Sequence, residues 1–476
     1  MKKMMMTLCA LLLMTLGVSA QTTEGATTVT TMQLTLQEAI DLALSENPTI
    51  KVADLEVERY DYVRKETLGN LYPSLSASGT YTYAVVKSEI SKGLSFGADN
   101  TIAASAEVGL PLIMPSVWSS IKLTKIQMEN AVEQARASRI DMVNAVKKAY
   151  YNILLAEQSL AVLRSSEATV SKTVEDTRVQ YEHGLASEYN LLTAEVQLSN
   201  LQPSIIQTAN SIDVAKRLLK MYLSLPENID IALVGSLDDF RDAILNGGEE
   251  LSTDISENST LKQLDIQSEL LQQNLKLTQT ARMPTLVAFG QFAYSGNDLD
   301  RSSFSAMMGG GSTAGGSTAG GTTAGGATGG TTNAGTAESV KKSFYWQHPI
   351  SVGLSLSVPI FSGFKNTNKV KQVRNQIRQL EIQREYLAKS TDVQVRSAIN
   401  NLLTAREKMF ANEKTVAQAQ KAYDISNARY KAGAGTILEL NSAELSLTQS
   451  KLNYSQAIYD YISAKADYDQ IVGKEE

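Results

Sequence analysis

From Ser116 to His183 the chain reads SVWSSIKLTKIQMENAVEQARASRIDMVNAVKKAYYNILLAEQSLAVLRSSEATVSKTVEDTRVQYEH, 68 residues with neither Gly nor Pro. The stretch from Phe364 to Ala432 also lacks both. Each window (116–183 and 364–432) predicts a single helix of about 100 Å at 1.5 Å per residue, more than a compact soluble domain accommodates. Helices this long need a partner along their whole length, and the residues after each window supply one. Leu191, Ala194, Leu198, Leu201 and Ile205 step by three and four, continuing to Tyr222. Leu440, Ala443, Leu447, Ser450 and Tyr454 do the same, continuing to Tyr468. A 3.5-residue period imposes left-handed coiled-coil packing, and the many Ala, Ser and Thr knobs let helices approach closely.

The two windows belong to a duplication. Ser45-Glu46-Asn47-Pro48 recurs as Ser256-Glu257-Asn258-Ser259, and Tyr72-Pro73-Ser74-Leu75 as Met283-Pro284-Thr285-Leu286, both at an offset of 211. Pro111 matches Pro359 at 248. Tyr181, Gly184, Ala194, Glu195 and Leu198 match Tyr430, Gly433, Ala443, Glu444 and Leu447 at 249. The offset grows where a tract of Gly, Thr, Ala and Ser, Gly309 to Gly335, is inserted. The expected organisation is repeat 1 over 21–250 and repeat 2 over 251–476. Each reads helix (36–68, 251–282), strand, loop, strand, long helix, tip, helix.

Four segments alternate with period two: about 74–84, 101–111, 285–295 and 350–359. Leu75, Tyr81 and Tyr83 oppose Ser74, Ser76 and Thr82, and Ile350, Val352 and Leu354 oppose Ser351, Gly353 and Ser355. The third segment is less regular, with Phe289 and Phe292 on opposite faces. Each is about the 9–11 residues that a tilted strand needs to cross a bilayer. Taken alone, the alternation also suits a small soluble sandwich; the long helices favour the membrane. Open strand edges cannot sit in lipid, so spanning strands must close a barrel with other copies. Two chains give eight strands, a barrel filled by its own side chains; three give twelve and leave a passage.

The chain begins with Lys2-Lys3, an apolar run through Leu16, and Val18-Ser19-Ala20 before Gln21. This predicts a secretory signal peptide over 1–20, cut after Ala20. It would remove the only cysteine, Cys9, leaving stability to packing or assembly. The formal charge of −6 becomes −8 without the two lysines, which argues against a nucleic-acid partner.

In this order and spacing, the tandem repeat, the paired strands, the tips Arg178-Val-Gln-Tyr-Glu-His-Gly184 and Ala428-Arg-Tyr-Lys-Ala-Gly433, and Val358-Pro359-Ile360-Phe361-Ser362-Gly363 resemble the TolC family of outer-membrane efflux and secretion channels. The resemblance covers essentially all of the mature chain. It implies a mixed α+β membrane protein: a homotrimer with a shared 12-stranded β-barrel in outer-membrane lipid and a long antiparallel coiled-coil α-helical barrel in the periplasm. It further implies an equatorial belt, here Leu223 to Gly248 plus the C-terminal end, and partners in a periplasmic adaptor and an inner-membrane pump. The competing reading of the residues is a barrel-anchored coiled-coil scaffold, structural or adhesive, without an open lumen.

Neither reading needs a catalyst or cofactor. Of the two histidines, His183 at a helix tip reads as solvated and His348 has no apparent partner; no Ser-His-Asp or phosphate-loop pattern occurs, and the glycine tract lacks Lys. The tips are the informative places. Gly184 and Gly433 break the long helices where the backbone turns back. The resemblance makes these tips, with Tyr181 and Gly435, the adaptor-facing end. It sets Glu439 at the position of an entrance carboxylate, Ser442 where a second can occur, and Tyr430 where a tyrosine helps hold the closed state. Gly435 stands where the best-known pattern has an arginine and Asn190 where it has an aspartate. An arginine–carboxylate lock is therefore not expected, and closure would rest on packing. Three copies of Glu439 at a constriction would favour cations.

Overall fold

A computed structural model describes residues 30–86, 88–91, 94–96, 98–246, 251–298 and 344–475. The expected signal peptide, with Cys9, and the tract Gly309 to Gly335 lie outside the described residues. The chain forms two compact units that cut across the duplication. One comprises Met1–Asp54, Ala135–Leu261 and Ala388–Glu476, the other Leu55–Gln134 and Lys262–Leu387.

The second unit holds the main sheet. Strands β2 (Ser74–Tyr83), β5 (Asn100–Ile113), β7 (Thr285–Asn297) and β9 (Ile350–Ser357) pair antiparallel in that order, with the short β8 (Tyr345–Gln347) also on β7. A small hairpin, β3 (Ser88–Ser91) and β4 (Leu94–Phe96), precedes β5. Pro349, which has no N–H to donate, separates β8 from β9, and its carbonyl accepts from Ala293 N at 3.0 Å. Because the pleat alternates side chains, the register sorts the strands into two faces. Leu75, Tyr81, Ile102, Val108, Phe292, Tyr294, Ile350, Val352, Leu354 and Leu356 share one face, all exposed. The other carries Ser76, Ser78, Thr80, Ser105, Glu107, Gln291, Ser351 and Ser355, with Ser78 Oγ 2.9 Å from Ser105 Oγ. Val287 and Phe289 are apolar exceptions on this polar face. Phe289 pairs with Gly353, where a Cβ would lie 2.9 Å from the ring.

The first unit is helical. Its lengths come from α3 (Pro115–Glu182) and α7 (Lys365–Lys431), each uninterrupted, which enter this unit at residues 135 and 388. Their return partners α4 (Glu188–Leu223) and α8 (Ile437–Val472) are both 36 residues long and coincide residue for residue at the 249 offset. The core gathers Ile40, Val146, Tyr150, Ile153, Leu219, Leu223, Met409 and Ile458 around a parallel pair of strands, β1 (Thr30–Leu34) and β6 (Ile229–Leu233). The Tyr150 hydroxyl closes this pair, 2.6 Å from the Val234 carbonyl and 3.1 Å from that of Leu34. Truncating a fully buried Leu219 to Ala in such packing costs about 2–5 kcal/mol. The short α5 (Asp239–Asn246) follows β6.

The opening helices differ from expectation. Residues 36–68 form two helices, α1 (Leu36–Glu46) and α2 (Pro48–Gly69), because Asn47 precedes a proline and is held extended at φ −63°, ψ 129°. Proline then suits the first turn of the next helix. In repeat 2 the helix α6 starts only at Ser259 and runs to Thr280; before it, Asp254 accepts from Ser256 N in a turn. The duplication persists at atomic detail. Asn47 Nδ2 donates to the Tyr222 carbonyl at 2.7 Å, and Asn258 Nδ2 to that of Ile471 at 2.7 Å. Each asparagine therefore ties the start of its repeat to the end of that repeat's return helix.

Candidate functional site: the helix-hairpin tips

The first unit contains both tips, and they are built alike. In tip 1 the chain turns at Gly184, φ +73°, with Gly184 N donating to the Tyr181 carbonyl and Leu185 N to that of Gln180. In tip 2 Gly433 has the same φ, Gly433 N donates to Tyr430 O and Ala434 N to Arg429 O. Both are left-handed helix ends that reuse carbonyls the helix leaves unmet. Ser187 then caps α4 by accepting from Asn190 N at 3.3 Å, and Thr436 caps α8 by accepting from Glu439 N at 3.2 Å.

Gly435 makes a close approach. A Cβ there would stand 3.2 Å from both Arg429 Cβ and Tyr430 N, so a side chain would force the end of α7 to give by a few tenths of an ångström.

An apolar cluster joins the two hairpins: Val174 and Ala194 from the first, Ile437 and Leu440 from the second, with Leu191, Leu198, Tyr423 and Tyr430 against them. Within it, Tyr430 Oη lies 2.9 Å from Thr177 Oγ1, and Thr177 Oγ1 also donates to the Thr173 carbonyl at 2.7 Å. The threonine proton is therefore used along α3, and the tyrosine donates across the seam. Burial, with the charges of Glu444 and Asp424, holds the Tyr423 hydroxyl above the usual phenol range. Tyr181, the counterpart of Tyr430, is exposed.

Glu439, Ser442 and Asn190 are not joined to one another by hydrogen bonds among the described residues. Glu439 is exposed, and its Oε2 lies 3.7 Å from Arg429 Nη1 across its own turn; Arg429 Nη2 also donates to the Ala434 carbonyl at 3.2 Å. An arginine–carboxylate pair is therefore present although position 435 is glycine. It staples one tip and does not bridge two hairpins. At such exposure it contributes about 0–1 kcal/mol. Ser442 is exposed, and Asn190 contributes its backbone to the cap.

Three polar residues at this seam were visible in the sequence only as repeat matches or not at all. Glu444 is buried; its Oε1 accepts from Ser166 Oγ at 2.6 Å and Thr448 Oγ1 at 3.1 Å, while Oε2 has no hydrogen-bond partner. Its counterpart Glu195 lies on the surface and pairs with Arg178 at 2.9 Å. Among the described residues no group of carboxylates, histidines or cysteines is arranged to hold a metal, and His183 and His348 are both exposed. No described helix is long and apolar enough to cross a membrane.

A model of the outer membrane efflux protein family matches the chain twice, over residues 39–223 and 251–474. The chain belongs to this family. It is 22% identical to the outer membrane protein TolC of Vibrio cholerae over 376 residues, covering 78% of this chain and 76% of that protein. It is also 22% identical to the alkaline protease secretion protein AprF of Pseudomonas aeruginosa over 442 residues, covering 91% and 83%. The fold matches the CmeC outer membrane channel of Campylobacter jejuni with a TM-score of 0.70 at 15% identity, over 92% of this chain and 85% of that one. The chain is thus an outer-membrane efflux or secretion channel with a TolC-like fold and two family repeats, and such channels are non-enzymatic transporters. The choice between conduit and scaffold falls to the conduit. Membership implies a trimeric channel that works with efflux machinery.

Proposed function

We propose that three copies, delivered by a signal peptide cut after Ala20, form one exit duct that a periplasmic adaptor couples to an inner-membrane pump. The repeats 21–250 and 251–476 give each chain two hairpins, and the tips are the gated entrance. The observation that carries this reading is the sheet: one face mostly apolar with most of its large side chains exposed, the other mostly polar, and both edge strands, β2 and β9, paired on one side only among the described residues. Apolar residues suit lipid and polar ones a water-filled lumen, while unpaired edges in lipid require closure by further copies.

At the entrance, Glu439, Ser442 and Asn190 face incoming cargo, and Tyr430 holds the closed state. Tyr181, Gly184, Gly433 and Gly435 shape the tips that meet the adaptor. Glu439 is the field-setting group, and Arg429 beside it offsets part of its charge. Single-channel recording of the purified protein in planar bilayers tests this. The expected result is steady cation-preferring steps, with the preference reduced by Glu439→Gln and increased by Arg429→Gln. Inserted protein with no conductance, even after the tips are loosened by Tyr430→Phe, would overturn the duct; selectivity indifferent to both charge variants would overturn the role of Glu439.

A further inference from the structure

The polar face of the main sheet is nearly without charge. Along β2, β5, β7 and β9 it carries mostly serine, threonine, glycine and alanine, and Glu107 is its only charged side chain. Glu107 is exposed, and no basic residue stands on that face of these four strands to offset it. The offset of 248 that relates Pro111 to Pro359 sets Ser355 at the matching place in repeat 2. Each chain therefore contributes one carboxylate to this face.

The surroundings of Glu107 follow from the register. In its own row it lies between Ser76 of β2 and Gln291 of β7, and Gln291 in turn faces Ser351 of β9. The next row toward the helices reads Ser74, Gly109, Phe289 and Gly353. Phe289 thus has a glycine on either side. A Cβ added to Gly353 would lie 2.9 Å from Phe289 Cζ and 3.1 Å from Cε1, so the ring occupies the space above that glycine and lies across the sheet. It is half-buried there. Gly109 leaves the floor open on the other side, toward Glu107. The two residues are diagonal neighbours on adjacent strands, a separation of roughly 7–8 Å that long and aromatic side chains span.

We infer that Glu107 and Phe289 form a wall site for organic cations inside the barrel, with Gln291 and Ser351 as its neutral polar neighbours. This rests on the duct proposed above, which turns the polar face to the lumen. A carboxylate attracts any cation, but an aromatic ring beside it adds both attraction to the charge and apolar contact. An ammonium carrying apolar groups uses all three, whereas a hydrated inorganic ion uses the first alone. Anions meet a negative charge and no basic group. Both side chains are open to water, so the site is weak, and a conduit needs sites that release what they bind. Charge is felt over about 8 Å at physiological ionic strength. The site therefore acts on cargo touching the wall, unlike a carboxylate at a constriction.

The probe is phenyltrimethylammonium, followed by saturation-transfer NMR on the purified full-length protein in a non-ionic detergent, a measurement that needs no open tip. The expected Kd rises about two- to fivefold in Phe289→Leu and by a similar factor in Glu107→Gln, the size of one exposed cation–π contact or ion pair. Phe289→Tyr keeps a ring and should bind as the parent does. Benzenesulfonate, an anion of similar shape, should show no saturable transfer. Should Phe289→Leu not accumulate, Glu107→Gln and the anion decide alone. In planar bilayers the probe added from the barrel side should reduce the potassium current with the same ranking of variants. Conducting protein whose affinity for the probe is unchanged in both Glu107→Gln and Phe289→Leu would overturn the site and leave the duct standing. Binding lost in Glu439→Gln alone would do the same, by putting the probe at the tip. A parent chain that stays non-conducting once the tips are loosened would overturn the duct, and the site with it.

Discussion

Removing one hydroxyl at the tip tests whether the seam inside each chain restrains opening. In Tyr430→Phe the ring stays against Val174, Ile437 and Leu440, and only the donor to Thr177 Oγ1, 2.9 Å away, is lost. Thr177 is fully buried but keeps its own bond to the Thr173 carbonyl, so no orphaned donor results and the cost is that of one ordinary hydrogen bond, about 0.5–1.5 kcal/mol. If opening parts the two hairpins in all three chains together, the closed state loses about three times that, on the order of 3 kcal/mol. Since 1.36 kcal/mol is tenfold in an equilibrium, the open-to-closed ratio rises about a hundredfold. The assay is single-channel recording, reading the fraction of time in the fully open level, with protein loading controlled by gel. Thr177→Val completes a double-mutant cycle, and the coupling between the two changes should fall in the same range per chain. An open fraction unchanged in both single variants, in channels of normal conductance, would refute the reasoning: the hairpins of one chain would not part when the duct opens.

The repeat supplies an internal control for backbone strain. Ser224 and Gly473 occupy the same left-handed position at the ends of α4 and α8, with φ +55° and +87°, but a Cβ on Gly473 would overlap the Glu257 carbonyl. Gly473→Ala should therefore cost about 2–4 kcal/mol from strain plus overpacking, read as a clear fall in melting temperature, while Ser224→Gly should stabilise slightly; equal effects would contradict the packing at Gly473. Burial pushes the Tyr151 hydroxyl up to about 12, with Tyr150 and Asp469 adding to it. The folded state thus holds the proton longer than the unfolded chain. The associated stability, about 2–3 kcal/mol, is complete below pH 10 and lost as pH rises toward 12. Melting temperatures between pH 9 and 12 should fall less steeply for Tyr151→Phe than for the parent, and parallel curves would sink the assignment.

The long helices were legible because nothing in them breaks a helix and the following heptads supply their partners, and the strands because period two persists across eight or more residues. Expected at 116–183 and 364–432, the helices run Pro115–Glu182 and Lys365–Lys431; the strand expected at 101–111 extends over Asn100–Ile113. Less legible were features fixed by distant contacts. Strands β1 and β6 are five residues each, lie about 200 residues apart in sequence, and pair parallel with no turn between them to signal it. The break at Asn47-Pro48 is signalled only by the proline, which ends a helix at the preceding residue, inside an otherwise periodic stretch. At the candidate site the glycines of both tips announced themselves, whereas the Arg429–Glu439 pair did not, because it spans a turn at a separation that is neither i+3 nor i+4. The buried Glu444 is the same residue type as its half-buried counterpart Glu195; Ser166 and Thr448 bond the one and Arg178 the other.

That last pair indicates why a duplicated chain departs from strict repetition where it does. Glu444 of the second half bonds Ser166 of the first, and Asp467 of the second half bonds Asn144 and Lys148 of the first, so polar groups packed between the halves are partnered across them. The asparagines Asn47 and Asn258 instead lie wholly within their repeats, and each makes the same bond to the end of its own return helix. A residue whose partner lies in its own repeat meets the same partner in both halves. One whose partner lies in the other half does not: Glu195, the counterpart of Glu444, pairs with Arg178 of its own hairpin.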